Sequence, residues 1–419
     1  MNTQQPIIDA IHNGDLHALH HAIEDLLVSA DANEQYEMAD YLMNFGYMKQ
    51  ADEIYAHLVY LFPNEAQLKI DRATVLMELE QEDEALELLM DVPTTADEYP
   101  QALLALADYY QMQGLYEVAE RQINVALDLL PKEPLLLFAK AELMMEMGRL
   151  SEAARLYEEV YATEKEVAGI RIIERLAEVH RQAGSYEEAL HYYGHALKDT
   201  TSPDLLFGAA YSAFQSEQYE QAIRHLEDLK VFDPDYFAAY LLLAESYAMQ
   251  ENNKKALEVI KEGITRDEYD KELYLFAGKM AIKNNKPEDA EAFLRQAIAL
   301  DPEYMEAVLT LVSMLSTKER DEEIIEIVEG LHKDDFDWST LSTFAAESYD
   351  RLEQYEEAGK HYTIAYRDHD EDVDFLEKYV YFLLEDGQHA QALEIAKKLN
   401  VLQPEEQQWI DLMSRFETL

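Results

Sequence analysis

Few residues of this chain have the types and spacing that chemistry requires. The nearest to a constellation is His17 with His21, one helical turn apart and close to Glu24. Two imidazoles at i and i+4 share one helix face, yet a stable metal site takes a third or fourth ligand. His20 points elsewhere on the same turn, and nothing nearby in sequence completes the set. The pair is read as surface and cap packing, with no metal and no cofactor expected. There are no cysteines, which removes thiolate nucleophiles, zinc–sulfur sites and disulfides. The phosphate-cradling glycine loops GxGxxG and GxxxxGK are absent, as is the zinc-binding HExxH. Acidic pairs are so frequent that no two carboxylates stand out as acid and base. Pairs of that kind ordinarily lie on solvated helix faces. The expectation is a protein that is not an enzyme.

Charge narrows the partners. The chain carries 86 Asp and Glu against 34 Lys and Arg, a formal net charge of −52. A polyanion repels phosphate backbones and anionic lipid headgroups, so neither nucleic acid nor a membrane surface is expected as a partner. Two readings of the charge stay open: solubility of a long exposed surface, or attraction of a basic partner. Hydrophobic residues make up 48%, ample for a core, while 13 Gly and 11 Pro are too few for the turns of an all-β protein. Met1 to Ile11 lacks the pattern of a secretory signal, and no stretch reaches the roughly 18 apolar residues of a membrane span. The expected compartment is the cytoplasm.

The elements that position these residues follow from a repeat. A Tyr-acid-x-Ala signature recurs at Tyr116–Ala119, Tyr186–Ala189, Tyr219–Ala222 and Tyr355–Ala358. Taking its alanine as anchor, the series runs Ala51, Ala85, Ala119, Ala153, Ala189, Ala222, Ala256, Ala290, Ile324, Ala358, Ala392, at gaps of 34 apart from one of 36 and one of 33. Twelve positions earlier in each unit stands a second small-residue series, Ala39 to Val380, with Gly278 in the eighth unit and Val312 in the ninth. Small residues at one point on each of two helices let the helices approach closely along a seam. The turn between them is marked by Gly46, Gly114, Gly148, Gly184 and Gly387, or by Asn252–Asn253 and Asn284–Asn285, which tolerate a left-handed cap. Prolines such as Pro63, Pro131, Pro234, Pro302 and Pro404 close the second helix. The repeat predicts an all-α solenoid of eleven helix–turn–helix units over 31–404. A helical pair over 1–30, broken at Asn13-Gly14-Asp15, precedes it. An amphipathic capping helix over 405–419 follows, with Trp409, Leu412, Met413 and Phe416 on one face.

The unit resembles the tetratricopeptide repeat (TPR), with small residues at two seam positions, an aromatic before the second and a terminal proline. In overall layout the chain is similar to the multi-repeat TPR proteins of Bacillus-type bacteria. The resemblance implies a right-handed superhelix and a non-catalytic scaffold or adaptor that holds a peptide or helix of a partner protein in a concave groove. The usual aromatic near the start of the first helix is mostly absent. In the ninth unit, Val312 and Ile324 predict looser or rotated packing.

Projecting the family's inner wall onto this register gives Phe138, Arg171, Arg175, Arg181, Phe207, Tyr211, Phe214, Leu241, Lys279 and Lys283 as the partner-binding set. Elsewhere the same positions are mainly acidic or amide, including Asp40, Asp71, Asp108, Glu347 and Asp350. In one reading Arg171, Arg175 and Lys279 meet acidic groups of a partner; in the other, Arg171–Glu174 and Arg175–Glu178 are ordinary surface pairs. The cations of the family's carboxylate clamp are missing from Asn33, Tyr36, Asp40, Ile70 and Asp71, so a chaperone-tail adaptor is disfavoured. The two extra residues around Thr163 to Val167 are either a hinge or a longer loop. The alternative function is a self-assembling structural protein that associates through its terminal helices, with Trp409 and Phe416 as the contact.

Overall fold

The computed structural model describes residues 4–331 and 338–416. They form an all-α array of antiparallel helix hairpins that divides into two compact units, Met1–Ser216 and Glu217–Leu419.

In the first unit, α1 (Gln5–Asn13) and α2 (Leu16–Ser29) form a hairpin at Gly14, whose φ is +64°. Asp15 caps α2 by accepting the N–H groups of His17 and Ala18. Repeat hairpins follow: α3 (Ala32–Asn44) with α4 (Met48–Leu61), α5 (Ala66–Glu78) with α6 (Glu82–Met90), and α7 (Tyr99–Met112) with α8 (Tyr116–Leu129). Next come α9 (Pro134–Glu146) with α10 (Leu150–Thr163), α11 (Ile172–Gln182) with α12 (Tyr186–Asp199), and α13 (Pro203–Gln215). In the second unit α14 (Tyr219–Phe232) precedes α15 (Ala238–Met249) with α16 (Asn253–Arg266), and α17 (Lys271–Lys283) with α18 (Pro287–Leu300). The remainder is α19 (Met305–Ser316) with α20 (Asp321–Glu329), α21 (Trp338–Arg351) with α22 (Tyr355–Ala365), α23 (Val373–Glu385) with α24 (His389–Leu402), and α25 (Gln407–Phe416).

The seam is where the small residues predict it. Every anchor from Ala51 to Ala392 is completely buried, Ile324 included, and so is its partner Val312. The ninth unit is therefore not loosely packed at its seam: the larger side chains fill one core cluster with Leu294, Leu311 and Leu341. Its second helix is short instead, stopping at Gly330.

An independent backbone signature has the same register. A left-handed residue stands five positions before each anchor: Gly46, Glu80, Gly114, Gly148, Gly184, Glu217, Glu251, Asn285, Glu319, Glu353 and Gly387. In most of these turns the next N–H reaches back to a carbonyl of the preceding helix, as from Gln81 to Leu76 at 2.9 Å and from Leu115 to Tyr110 at 2.8 Å. This closure satisfies carbonyls that the helix end leaves free. In the seventh unit the left-handed residue is Glu251 rather than an asparagine. Asn252 instead caps α16 through the N–H of Lys255.

The two extra residues between α10 and α11 build a tight β-hairpin. Strands β1 (Glu166–Val167) and β2 (Ile170–Arg171) pair antiparallel, and the turn residues Ala168 and Gly169 both have positive φ. Positive φ at both central residues is the twist-matched geometry of a two-residue hairpin. Val167 is buried in the same cluster as Ile172 and Val160.

Candidate functional site

The side chains expected on the inner wall separate into buried, ion-paired and half-exposed groups. Phe138 is a correction. It is only 6% exposed and packs against Tyr157 at a ring separation of 6.1 Å, so it belongs to the core. Helix α9 begins Pro-Leu-Leu-Leu-Phe, and with apolar residues on several faces its register does not single out a free one.

The arginines are paired within the chain. Arg171 ends β2 and donates to Glu174 at 2.9 Å and to Asp199 on α12 at 3.1 Å. Arg175 lies 3.0 Å from Glu142 on α9, so the pairing expected with Glu178 is replaced by a bridge between successive hairpins. Arg181 donates to both carboxylate oxygens of Glu178, at 2.9 and 2.6 Å. Buried tyrosines of the second helices complete these networks: Tyr157 donates to Glu142 at 2.6 Å and Tyr193 to Glu178 at 3.1 Å. Burial, followed by the adjacent carboxylate, pushes both phenols above their ordinary value. Burial also acts to raise Glu178, but the hydrogen bonds from Arg181 and Gln182 outweigh it and hold the carboxyl below its usual range. The tyrosines stand four residues after anchors Ala153 and Ala189, a signal available in the sequence.

Aromatic surface remains on α13. Phe207, Tyr211 and Phe214 follow one another at i, i+4 and i+7, each half-buried. Tyr211 lies edge-on to Tyr186 at 6.1 Å, and the Arg181 guanidinium sits 5.6 Å from its ring. Gly208 lets α13 approach α12 this closely, because a Cβ there would lie 2.3 Å from the Tyr193 hydroxyl. In the second unit, Leu241 is half-buried on α15, and Lys279 is bound to Glu306 on α19 at 2.5 Å. Lys283 is exposed and has no carboxylate partner among the described residues. Glu245 is raised by burial and by nearby Glu272, against a smaller opposing effect of Lys279.

Asp108 lines a cavity of about 420 Å³ with Gln111, Met112, Tyr116 and Glu146. Asp108 is solvent-exposed, yet the atoms around its carboxyl strip away enough water to push it up to about 6.

At the termini, the rings of His17 and His21 are 4.6 Å apart and His21 Nδ1 lies 3.0 Å from Glu24. Among the described residues no group of three or more His, Asp or Glu is arranged to hold a metal ion. Trp409 is 1% exposed, packed in the cluster that contains Leu399 and Val380, and donates to Gln403 at 3.3 Å. It is thus unavailable as the contact for self-association, because its ring is covered by its own chain. The Phe416 side chain lies outside the described residues. No helix among the described residues is long and apolar enough to cross a membrane.

Residues 111–165 match the family of YpiA-like tetratricopeptide repeats, and residues 341–406 match the YpiA-like C-terminal tetratricopeptide repeats. Over 355 residues the chain is 36% identical to the TPR repeat-containing protein YpiA of Bacillus subtilis (strain 168), covering 85% of this chain and 84% of that protein. The chain belongs to the YpiA-like family of TPR proteins. General tetratricopeptide families match the stretch between the two YpiA-like matches, at 174–230, 207–271 and 271–304. Among solved structures, the C-terminal part of a TPR repeat-containing protein from Cytophaga hutchinsonii is 16% identical with a TM-score of 0.44, covering 66% of this chain and 99% of that one. YrrB, described as a TPR protein with an unusual peptide-binding site, is 18% identical with a TM-score of 0.39, covering 44% of this chain and 95% of that one. The Cut9–Hcn1 hetero-tetramer of APC/C matches at 14% identity and a TM-score of 0.36, covering 99% of this chain and 95% of that chain.

Proposed function

We propose that this YpiA-like protein is a non-catalytic scaffold whose first helices hold a segment of a partner protein, with the aromatic face of α13 as an anchor. The observation that carries this reading is the half-buried series Phe207, Tyr211, Phe214, set along one face of α13 beside Arg181. Aromatic side chains dominate interface energetics because they bury large area at low entropic cost. The ion-paired cations change the expected chemistry. Arg171, Arg175, Arg181 and Lys279 are already neutralised by carboxylates of the chain. Affinity on this reading comes from aromatic burial, and the net charge of −52 favours a partner segment with basic flanks.

The test is the double variant Phe207→Ala with Tyr211→Ala. Partner recovery from cell extract should fall by about tenfold or more, consistent with over 1 kcal/mol per truncated anchor, while the circular dichroism spectrum is unchanged. Full recovery by the folded variant sinks the assignment. Charge reversal at Arg175 is a poor substitute, since it unpairs Glu142 and disturbs the contact between hairpins.

A further inference from the structure

A second opening lies in the C-terminal unit. Between α22 and α23 is a cleft of about 800 Å³, lined by the accessible Tyr355 and Ile364 over the buried core residues Tyr379, Phe382 and Leu383, with Asp386 and Gln388 at its edge. That volume is within the range of ligand-sized pockets.

The cleft has an origin in the repeat. The residue after the anchor is apolar in many units: Leu86, Leu190, Ile223, Leu257, Ile325 and Leu393 are all buried or half-buried there. In the tenth unit it is Gly359, in the middle of α22, where a glycine costs about 1 kcal/mol relative to alanine. A Cβ at Gly359 would make only ordinary contact with Phe382, at 3.5 Å, so close packing does not demand the glycine. What glycine does is leave the cleft unfilled. By contrast, a Cβ at Gly278 would come within 2.8 Å of Leu294, and there the glycine is sterically required.

The rim states the charge of the occupant. Glu356, Glu357 and Asp386 line the opening, and Lys360, the one Lys or Arg among the described lining residues, is bound to both Glu356 and Glu357. The rim is therefore net acidic, and a second copy of this chain, itself at −52, is repelled from it. We infer that the cleft between α22 and α23 is a docking site for an amphipathic helix of a partner protein, which inserts an apolar side chain at Gly359 against the accessible Tyr355 and Ile364 and sets Lys or Arg against Glu356, Glu357 and Asp386. Such a mode gives affinity through the apolar anchor and selects partners through the flanking charge. This site is separate from the α13 face, and neither proposal rests on the other.

The probe is a fluorescent helix-forming peptide with Leu on one face and Lys on the other, compared with a counterpart carrying Glu for Lys, both at about 150 mM salt so that long-range attraction is screened. The full chain should bind the Lys peptide and not the Glu peptide. Gly359→Leu, which restores the side chain of other units, should weaken binding by about tenfold or more with an equal or higher melting temperature. Equal affinity for Gly359→Leu and the native chain, no binding to the native chain, or equal binding of the two peptides would each overturn the proposal. A second readout does not depend on filling the cleft. The chain has no cysteine, so Gly359→Cys provides a single thiol in the cleft. Saturating Lys peptide should protect it from maleimide, and an unchanged labelling rate rejects the site. The Phe207→Ala, Tyr211→Ala chain should bind the peptide normally, which keeps the two proposals distinguishable.

Discussion

Glutamate is a poor residue for a left-handed turn, yet Glu80, Glu217, Glu251, Glu319 and Glu353 all hold φ between 54° and 60°. A side chain in that region meets the following carbonyl and costs about 1–2 kcal/mol, which glycine avoids. Part of that gain is returned because glycine has more freedom in the unfolded chain. Glu80→Gly, Glu251→Gly and Glu353→Gly should therefore each raise the unfolding free energy by about 0.5–1 kcal/mol, measured by chemical denaturation. The matching alanine variants remove the charge and keep the strain, so they should give no such gain. Equal stabilisation by alanine would mean that acidic repulsion, rather than backbone strain, is what glycine relieves. These turns also show what was hidden in the sequence. Gly46 and Gly114 announce a left-handed residue by type, whereas Glu80 and Glu251 do so only through their place in the 34-residue register. The arginine pairings were hidden for a different reason. Arg171–Glu174 is visible as an i, i+3 pair, but Arg175–Glu142 joins residues of successive hairpins, and only the stacking brings them together.

Each hairpin contacts mainly its neighbours, so its stability is local and an end needs a cover. In the C-terminal unit, helix α25 places Trp409 against the cluster of α23 and α24. Trp409→Ala leaves a large cavity there, a change that typically costs about 3–5 kcal/mol. Hydrogen exchange should quicken in α23 and α24 and stay unchanged in α3 to α8. A uniform increase along the chain would contradict local, neighbour-by-neighbour stability. The hairpins themselves were readable because the two small-residue series mark one fixed crossing point per unit. The connection between α10 and α11 was not, since two added residues are compatible with a hinge or a loop. Its closure as a β-hairpin depends on Ala168 and Gly169 both taking positive φ and on Val167 finding a buried seat. The α13 aromatics were legible in position. Their contacts with Tyr186 and Arg181 depend on Gly208, whose role emerges only when Tyr193 is seen against it.

At the scale of the molecule many of the bases are committed internally. Arg72 joins Asp52 and Glu84, Arg149 joins Glu120 and Glu152, Arg320 joins Glu291 and Glu323, and Arg351 joins Asp321, so several bridge one hairpin to the next. The more exposed of these pairs, such as Arg149–Glu152, add little stability individually, but together the pairs remove cations from the surface and leave the net field to the carboxylates. A partner recruited by such a chain has to tolerate that field, which favours basic flanks around an apolar anchor. The central claim is that this YpiA-like protein holds a partner segment on the first helices around α13. Crosslinking mass spectrometry on the tagged full chain in its native cells tests it most directly. The account predicts that a recurrent partner protein crosslinks to residues on α9, α11 or α13, and that Phe207→Ala with Tyr211→Ala removes those crosslinks. Crosslinks confined to copies of this chain, or a partner that touches none of those helices, would contradict it.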